Sequence, residues 1–382
     1  MHDQATPQYE LVRDEDGLGR TARLLAREKV IGVDLEADSM FHYQEKICLL
    51  QISTRHRNFL VDPLEIEDME PLRAVLEDAG VVKVFHGSDY DIRSLYRDYG
   101  FGVHNLFDTE VAARFLGETR TGLAGILESR LGVVLEKKYQ KKDWSKRPLP
   151  DEMLAYAVHD SCHLIALKGC LERELSRLGR LEWVREECEH LSRVRPPEED
   201  GSPLFLRFRG AGKLDRRGLA VLEALLRFRV KEAQRLDRPP FKVLGSGTIK
   251  ALAEKRPMDR KGLKGIEGLS PKLIRAFGDA LLREIRKAMA LEEGGLPVYP
   301  RRSSQRLTRR EKARVQALKA WRSEKAATLG IDPAVVCSNT LAFSLARACP
   351  ATPRELDGVD DLRAWQRRAF GREICAVLSS CT

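Results

Sequence analysis

Asp34 and Glu36 stand two residues apart at the end of an apolar run, VIGVDLEAD over 30–38. Residues two apart on a strand share a face, so the two carboxylates stand side by side where a buried strand reaches the surface. Like charges that close repel and raise each other's pKa unless a cation sits between them. Acidic pairs at this spacing are common, and Glu65 with Glu67 makes another. Alone, the pair reads as an accident at a strand end sooner than as half of a metal site.

Three further stretches bear on the choice. Asp91, in VFHGSDYDI, falls in the first turns of a helix, where a carboxylate also suits the macrodipole. Tyr156 and Asp160, in YAVHD, are four apart and share one helix face. The basic loop 132–150 carries Lys141, Lys142, Trp144, Lys146 and Arg147. Cations mixed with an aromatic suit phosphate and base contact, although the loop alone reads as solvated. Asp34, Glu36, Asp91 and Asp160 together form a set of four carboxylates that could not converge without cations. Two divalent ions would neutralise them, and hard oxygen ligands suit Mg2+ or Mn2+. Such a pair activates water for in-line phosphoryl displacement. His86 is read as packing or support, and His159 as a bland surface or core histidine.

These groups need elements to hold them. Apolar runs at 30–35, 47–52 and 58–61 leave no room for helices between them and read as an antiparallel meander. A helix over 65–79, N-capped by Asp68, leads into a strand at 81–85 that should run parallel to its neighbour. Helices are predicted at 14–28, with Ala22, Leu24 and Leu25 inward, and at 88–98, with Ser88 as N-cap and Gly100 past the end. An extended stretch at 103–107 precedes helical pattern at 109–116 and 122–131. From Pro150 helical pattern runs to about 193. The expected fold is a mixed sheet flanked by helices over residues 1–200.

Residues 195–212 and 292–306 read as linkers, and everything after 212 as helical. That helical part repeats itself at a shift of 93 residues without a gap. Arg229, Ala233 and Leu236 fall on Arg322, Ala326 and Leu329, and Ala276, Phe277 and Gly278 on Ala369, Phe370 and Gly371. Two copies of one all-α domain are expected, at 213–291 and 307–382, set like beads rather than stacked.

Charge divides the same way. Residues 205–382 hold 38 Lys and Arg against 19 Asp and Glu, whereas the first 204 residues are net acidic. The basic half should gather a polyanion, and the acidic half should hold metal. Eight cysteines without a Cys-x-x-Cys pair read as free thiols in a reducing compartment. No apolar run approaches membrane-spanning length. A cytosolic monomer without a membrane partner is the expectation.

The order Asp-x-Glu, Asp, Tyr-x-x-x-Asp resembles that of the DEDDy 3′→5′ exonucleases of the ribonuclease H-like fold. CLLQIST, VFHGSDYDI, LFDTEVAARFLG and WSKRPL ahead of YAVHD resemble the ribonuclease D family over about residues 10–190. VDLEAD and QIST are also similar to its exosome-associated eukaryotic relatives. The two repeats resemble HRDC domains. The resemblance implies that Asp34 bridges both metals, that Glu36 and Asp160 hold the ion that activates water, that Asp91 acts in the outer shell or through water on the second ion, and that Tyr156 orients the water. In the related DEDDh class a histidine lies five residues before the last aspartate, where this chain has Ala155. The resemblance further implies an exoribonuclease that releases nucleoside 5′-monophosphates from RNA with a free 3′ end, tRNA precursors among them. A DNA exonuclease, or an inactive fold that binds RNA or a partner, is the alternative. The first repeat, richer in cations, is the choice for RNA contact; the second is expected to bind a protein or the nuclease domain itself.

Overall fold

A computed structural model describes residues 7–136, 138–197, 200–300 and 307–381. The chain divides into two units. Met1–Ala37, Ile47–Pro196 and Arg306–Thr382 form one, and Asp38–Lys46 with Pro197–Gln305 form the other.

The first unit opens with strand β1 (Glu10–Val12), helix α1 (Glu15–Leu25), and strands β2 (Val30–Ala37), β3 (Ile47–Ser53) and β4 (Asn58–Val61). A short helix α2 (Arg73–Leu76) leads to β5 (Val82–Phe85), α3 (Asp89–Tyr99) and β6 (Leu106–Asp108). Five helices follow: α4 (Thr109–Phe115), α5 (Leu123–Leu131), α6 (Asp151–Cys162), α7 (Leu164–Arg177) and α8 (Leu181–Ser192). The sheet order is β1-β4-β3-β2-β5-β6. β2, β3 and β4 pair antiparallel, while β5 runs parallel to both β2 and β6. The mixed sheet and the meander are as the apolar runs indicated. The middle of β2, Ile31–Val33 with Leu35, is buried because its neighbours cover both edges and helices cover its faces, while Asp34 and Glu36 are only half-buried.

Several local expectations change. β1 was not anticipated; three residues pair in parallel with β4 at the sheet edge, too short a stretch to show periodicity. The helix over 65–79 shrinks to a 3-10 turn and α2, because Pro71 lies inside it and Asp68 accepts from the Glu70 N–H of the 3-10 turn rather than capping a long helix. Leu24 faces solvent at 37 % exposure, leaving Leu18, Ala22 and Leu25 as the inward set of α1. Ser88 does not cap α3, since its hydroxyl donates to Asp108 instead. Gly100 ends α3 in the left-handed conformation, φ 68°, as expected. The run from 150 to 193 is three helices, broken at His163 and at the left-handed Gly179.

The repeat is reproduced to the residue over its first three helices. The first copy holds α9 (Arg216–Leu236), α10 (Pro240–Val243), α11 (Ser246–Lys255), α12 (Arg260–Lys264) and α13 (Pro271–Met289). The second holds α14 (Arg309–Leu329), α15 (Pro333–Val336), α16 (Asn339–Ala348) and α17 (Ala364–Ser379). A shift of 93 residues carries the bounds of α9, α10 and α11 onto those of α14, α15 and α16. Arg229 donates to the Leu244 carbonyl, and its counterpart Arg322 to that of Cys337, again 93 residues on. The linker reading of 195–212 is corrected: Phe205 and Ala211 are buried in the core of the first copy, with Leu296 from the second linker candidate. Residues 301–306 of that second candidate lie outside the described residues.

The second copy shares one continuous core with the sheet domain. Trp365 on α17 stacks on Trp183 of α8, centroids 4.7 Å apart, and meets Phe115 edge-on at 5.3 Å. Glu186 accepts from the Trp365 backbone N–H, placing a carboxylate at the N-terminus of α17. Glu187 accepts from the indole N–H at 2.8 Å, and Arg180 donates to the carbonyls of Phe115 and Leu329. The expectation of separate beads is therefore wrong for this copy. Among the described residues no helix is long and apolar enough to cross a membrane.

Candidate active site

The parallel pairing of β2 and β5 sets the site. Gly32 pairs with Val84, so the C-terminal ends of the two strands emerge together. β2 carries Asp34 and Glu36 there, and β5 leads directly into α3 with Asp91 in its first turn. Ligands of open α/β sheets gather at such strand ends. Asp160 arrives from α6, and two contacts fix that helix against the sheet. The Ser161 hydroxyl shares a buried 2.6 Å hydrogen bond with Ser53 on β3. Gly32 on β2 lies so close that an added Cβ would sit 2.7 Å from the Ser161 carbonyl oxygen. Glycine at 32 thus admits the end of α6 to the strand, one residue from Asp160 and two from Asp34.

The loop into α3 is held by Asp108 at the end of β6. This fully buried carboxylate accepts from the N–H groups of Gly87, Ser88, Glu110 and Val111 and from the Ser88 hydroxyl. It caps α4 and ties down the start of α3 in one step. His86 hydrogen-bonds Thr109 at 2.9 Å, and burial pushes its pKa down, so it is neutral.

The electrostatics follow from confinement. Burial raises Asp34 to about 7 against the opposing Leu35 backbone hydrogen bond. Glu36 is pushed up to about 10 by burial first and then by the charges of Asp34, Asp160 and Asp91. Asp91 and Asp160 are raised well above the carboxylate range, again by burial and then by Asp34. The Tyr156 phenol is raised by burial and by the charges of Asp160, Glu36 and Asp34, and it donates to Asp160. Among the described residues no lysine or arginine forms an ion pair with any of the four carboxylates. Mutual repulsion without a protein cation is the chemistry of a divalent-metal site, and four carboxylates are a hard donor set that fits Mg2+ or Mn2+.

Asp34, Glu36, Tyr156 and Asp160 line one cavity of about 540 Å³. Asp91 does not line that cavity; it is 7 % exposed and its charge is felt at Glu36. Glu110, Glu136 and Gln140 also line the cavity and were missed in the sequence, where nothing sets them apart from solvated residues. Asp108 could have been found as a strand-end Asp opening the helical pattern at 109–116.

The basic loop needs correction. Trp144 is fully buried among Cys48, Leu49, Leu60, Leu154 and Val158, its ring 6.3 Å from that of Tyr156. It supports the Tyr156 ring and has no face to offer a base. Arg147 makes a two-pronged pair with Asp62 at 2.6 Å and donates to the Cys48, Trp144 and Lys146 carbonyls. Its donors are spent within the loop and on fixing the loop to Asp62 and Cys48 of the sheet region. Lys141, Lys142 and Lys146 are exposed.

Comparisons with known proteins identify the family. A 3′-5′ exonuclease family matches residues 9–176, and the HRDC domain matches 218–285 and 311–378. Ribonuclease D of Gluconacetobacter diazotrophicus is 30 % identical over 97 % of this chain and 93 % of its own length. The chain belongs to the ribonuclease D family. Its relationship extends to mouse exosome complex component 10, 37 % identical over 65 % of this chain, which spans 30 % of that longer protein. The Escherichia coli RNase D crystal structure shares the fold, with a TM-score of 0.75 at 24 % identity, covering 98 % of this chain and 99 % of that one. As a ribonuclease D family member, the chain is a 3′→5′ exoribonuclease.

Proposed function

We propose that the chain trims the 3′ ends of structured RNAs, tRNA precursors among them, releasing nucleoside 5′-monophosphates with two divalent cations held by Asp34, Glu36, Asp91 and Asp160. The observation that carries this reading is that four buried or half-buried carboxylates from β2, α3 and α6 feel one another's charge, with no Lys or Arg ion-paired to them among the described residues. When bound, Mg2+ or Mn2+ would supply an activated water and charge neutralisation at the phosphate. The chain's own residues do the rest. Asp34 reaches both sides of the acidic cluster, since its charge is felt at Glu36, at Asp91 and at Asp160. Tyr156 stays protonated, so its hydroxyl can donate to an attacking oxygen but cannot serve as a base at neutral pH. Trp144 and Tyr139 flank its ring and hold it in place. Exposed Lys141, Lys142 and Lys146 supply phosphate contacts beside the site.

The test is a timed digestion of a 3′-extended tRNA beside matched RNA and DNA oligonucleotides, with and without chelator. Stepwise 5′-mononucleotide release from RNA, abolished by chelator and restored by Mg2+ or Mn2+, is the expected result. Chelator-resistant cleavage, or release of 3′-phosphates, would overturn the metal assignment. Equal or faster turnover of DNA would move the target to DNA.

A further inference from the structure

α6 carries a second chemically distinct cluster. His159, Cys162 and His163 occupy positions three and four apart at its C-terminal end, where the chain keeps right-handed helical geometry through His163. That spacing puts all three on one face. Each offers one ligand atom, and the three atoms lie within 4.8 Å of one another. The imidazoles lie nearly parallel, 21° between planes, with centroids 5.8 Å apart. His159 Nδ1 and His163 Nε2 are both buried and have no hydrogen-bond partner. Buried nitrogen atoms left unpaired on two neighbouring rings ask for a ligand. The residues are half-buried, so an ion can reach them from solvent.

We propose that His159, Cys162 and His163 form a binding site for one borderline-soft cation of the Zn2+ class, separate from the carboxylate site. Two imidazoles and a thiolate are the donors such ions prefer, and they are poor donors for Mg2+ or Mn2+. Three protein ligands leave a fourth position for water. Burial keeps both histidines neutral, with lone pairs free. The Cys162 thiol is pushed up to about 12 by burial and by Asp160, so metal binding must displace its proton and breaks the weak Sγ–H contact to the His159 carbonyl. Asp160 lies between His159 and Cys162 on the same helical turn, so the two ligand sets share one support and leave it in different directions.

The experiment is a titration of the full chain with Co2+ in excess Mg2+, which keeps the carboxylates filled. Coordination by sulfur produces a thiolate-to-cobalt charge-transfer band that oxygen ligands cannot produce. The expected result is a band that saturates at one equivalent, is displaced by Zn2+, disappears in Cys162→Ser and persists in Cys170→Ser. No band, or a band that survives Cys162→Ser, overturns the site. His163→Gln is the second variant, read by competition for Zn2+. It should weaken binding at least about tenfold, the lower end of what loss of even an outer-sphere partner costs. Unchanged affinity there overturns the site as well, whether or not Cys162→Ser folds.

Discussion

The two helical repeats have the same scaffold and opposite surfaces. The position held by Trp365 in the second copy is Lys272 in the first. Trp365 is 1 % exposed and clamped by Trp183, Phe115 and Glu187, whereas Lys272 faces solvent. Arg368 pairs with Glu186 of α8, and its counterpart Arg275 is exposed. The corner after the long helix differs too. In the second copy it is Gly330, against which Gly117 packs; in the first it is Asp237, which accepts from His42 and from the Tyr43 backbone N–H. Residues 213–291 carry 20 Lys and Arg against 9 Asp and Glu, and residues 307–382 carry 13 against 8. One repeat has become part of the nuclease core, and the other keeps an exposed cationic surface. Repeated sequence preserves buried positions and turns, while the faces between them are free to diverge.

The largest expected effect comes from the buried tryptophan. Trp365→Ala should destabilise the first unit by about 3–5 kcal/mol in chemical denaturation, the usual cost of emptying an aromatic core site. Lys272→Ala, at the matching position, should stay within about 0.5 kcal/mol. Equal losses would erase the distinction between the copies. Gly117→Ala comes next. Gly117 has φ +82°, and an added Cβ would sit 1.8 Å from the Gly330 carbonyl oxygen. The substitution should cost more than about 1 kcal/mol and loosen the second copy, read as faster proteolysis at α14 and altered tryptophan fluorescence. Normal stability and proteolysis would show that the copy is not held at this corner.

A smaller effect should appear on the free face. Lys272→Glu with Arg275→Glu should weaken binding to long RNA and lower the salt slope by roughly 2, about one per lost phosphate contact. Cleavage of short oligonucleotides should change little. Arg368→Glu in the second copy should act on stability, through its lost pair with Glu186. If it weakens RNA affinity as much as the first-copy pair does, the division of labour fails.

The smallest effect sets the baseline for reading these stabilities against pH. Lys83 on β5 is fully buried, its ammonium donating to the Asp78 and Val81 carbonyls, and burial pulls its pKa down to about 8. Between about 8 and the unfolded value near 10.5 the unfolded chain binds the extra proton, so stability should rise with pH across that window. Lys83→Met should flatten this rise. An unchanged slope would assign it to other groups.

Much of this was legible before any coordinates. Asp34 and Glu36 sit on a strand whose apolar run is unmistakable, and the repeats announce themselves because core and turn positions recur at one spacing. The loop around Trp144 was not legible. Its aromatic and its arginine look like a nucleic-acid contact, and only pairing with Asp62 and Leu60, more than 80 residues earlier, turns both inward. Long-range contacts of that kind leave no periodicity. Gly32, Asp108 and Ser161 were missed for the same reason: each positions a site residue through a neighbour distant in sequence. The docking of the second repeat onto the nuclease domain was one of two partners anticipated for it, whereas the trio on α6 was passed over because His159 looked bland by itself.

The central claim is that the acidic cluster holds the catalytic cations, with Asp34 at its middle. The most direct measurement compares 5′-mononucleotide release by the parent and by Asp34→Asn, under saturating Mg2+ and then Mn2+, with RNA affinity measured in parallel. The account predicts that release falls by several orders of magnitude with either ion while RNA affinity stays close to that of the parent. Undiminished release by Asp34→Asn would contradict it.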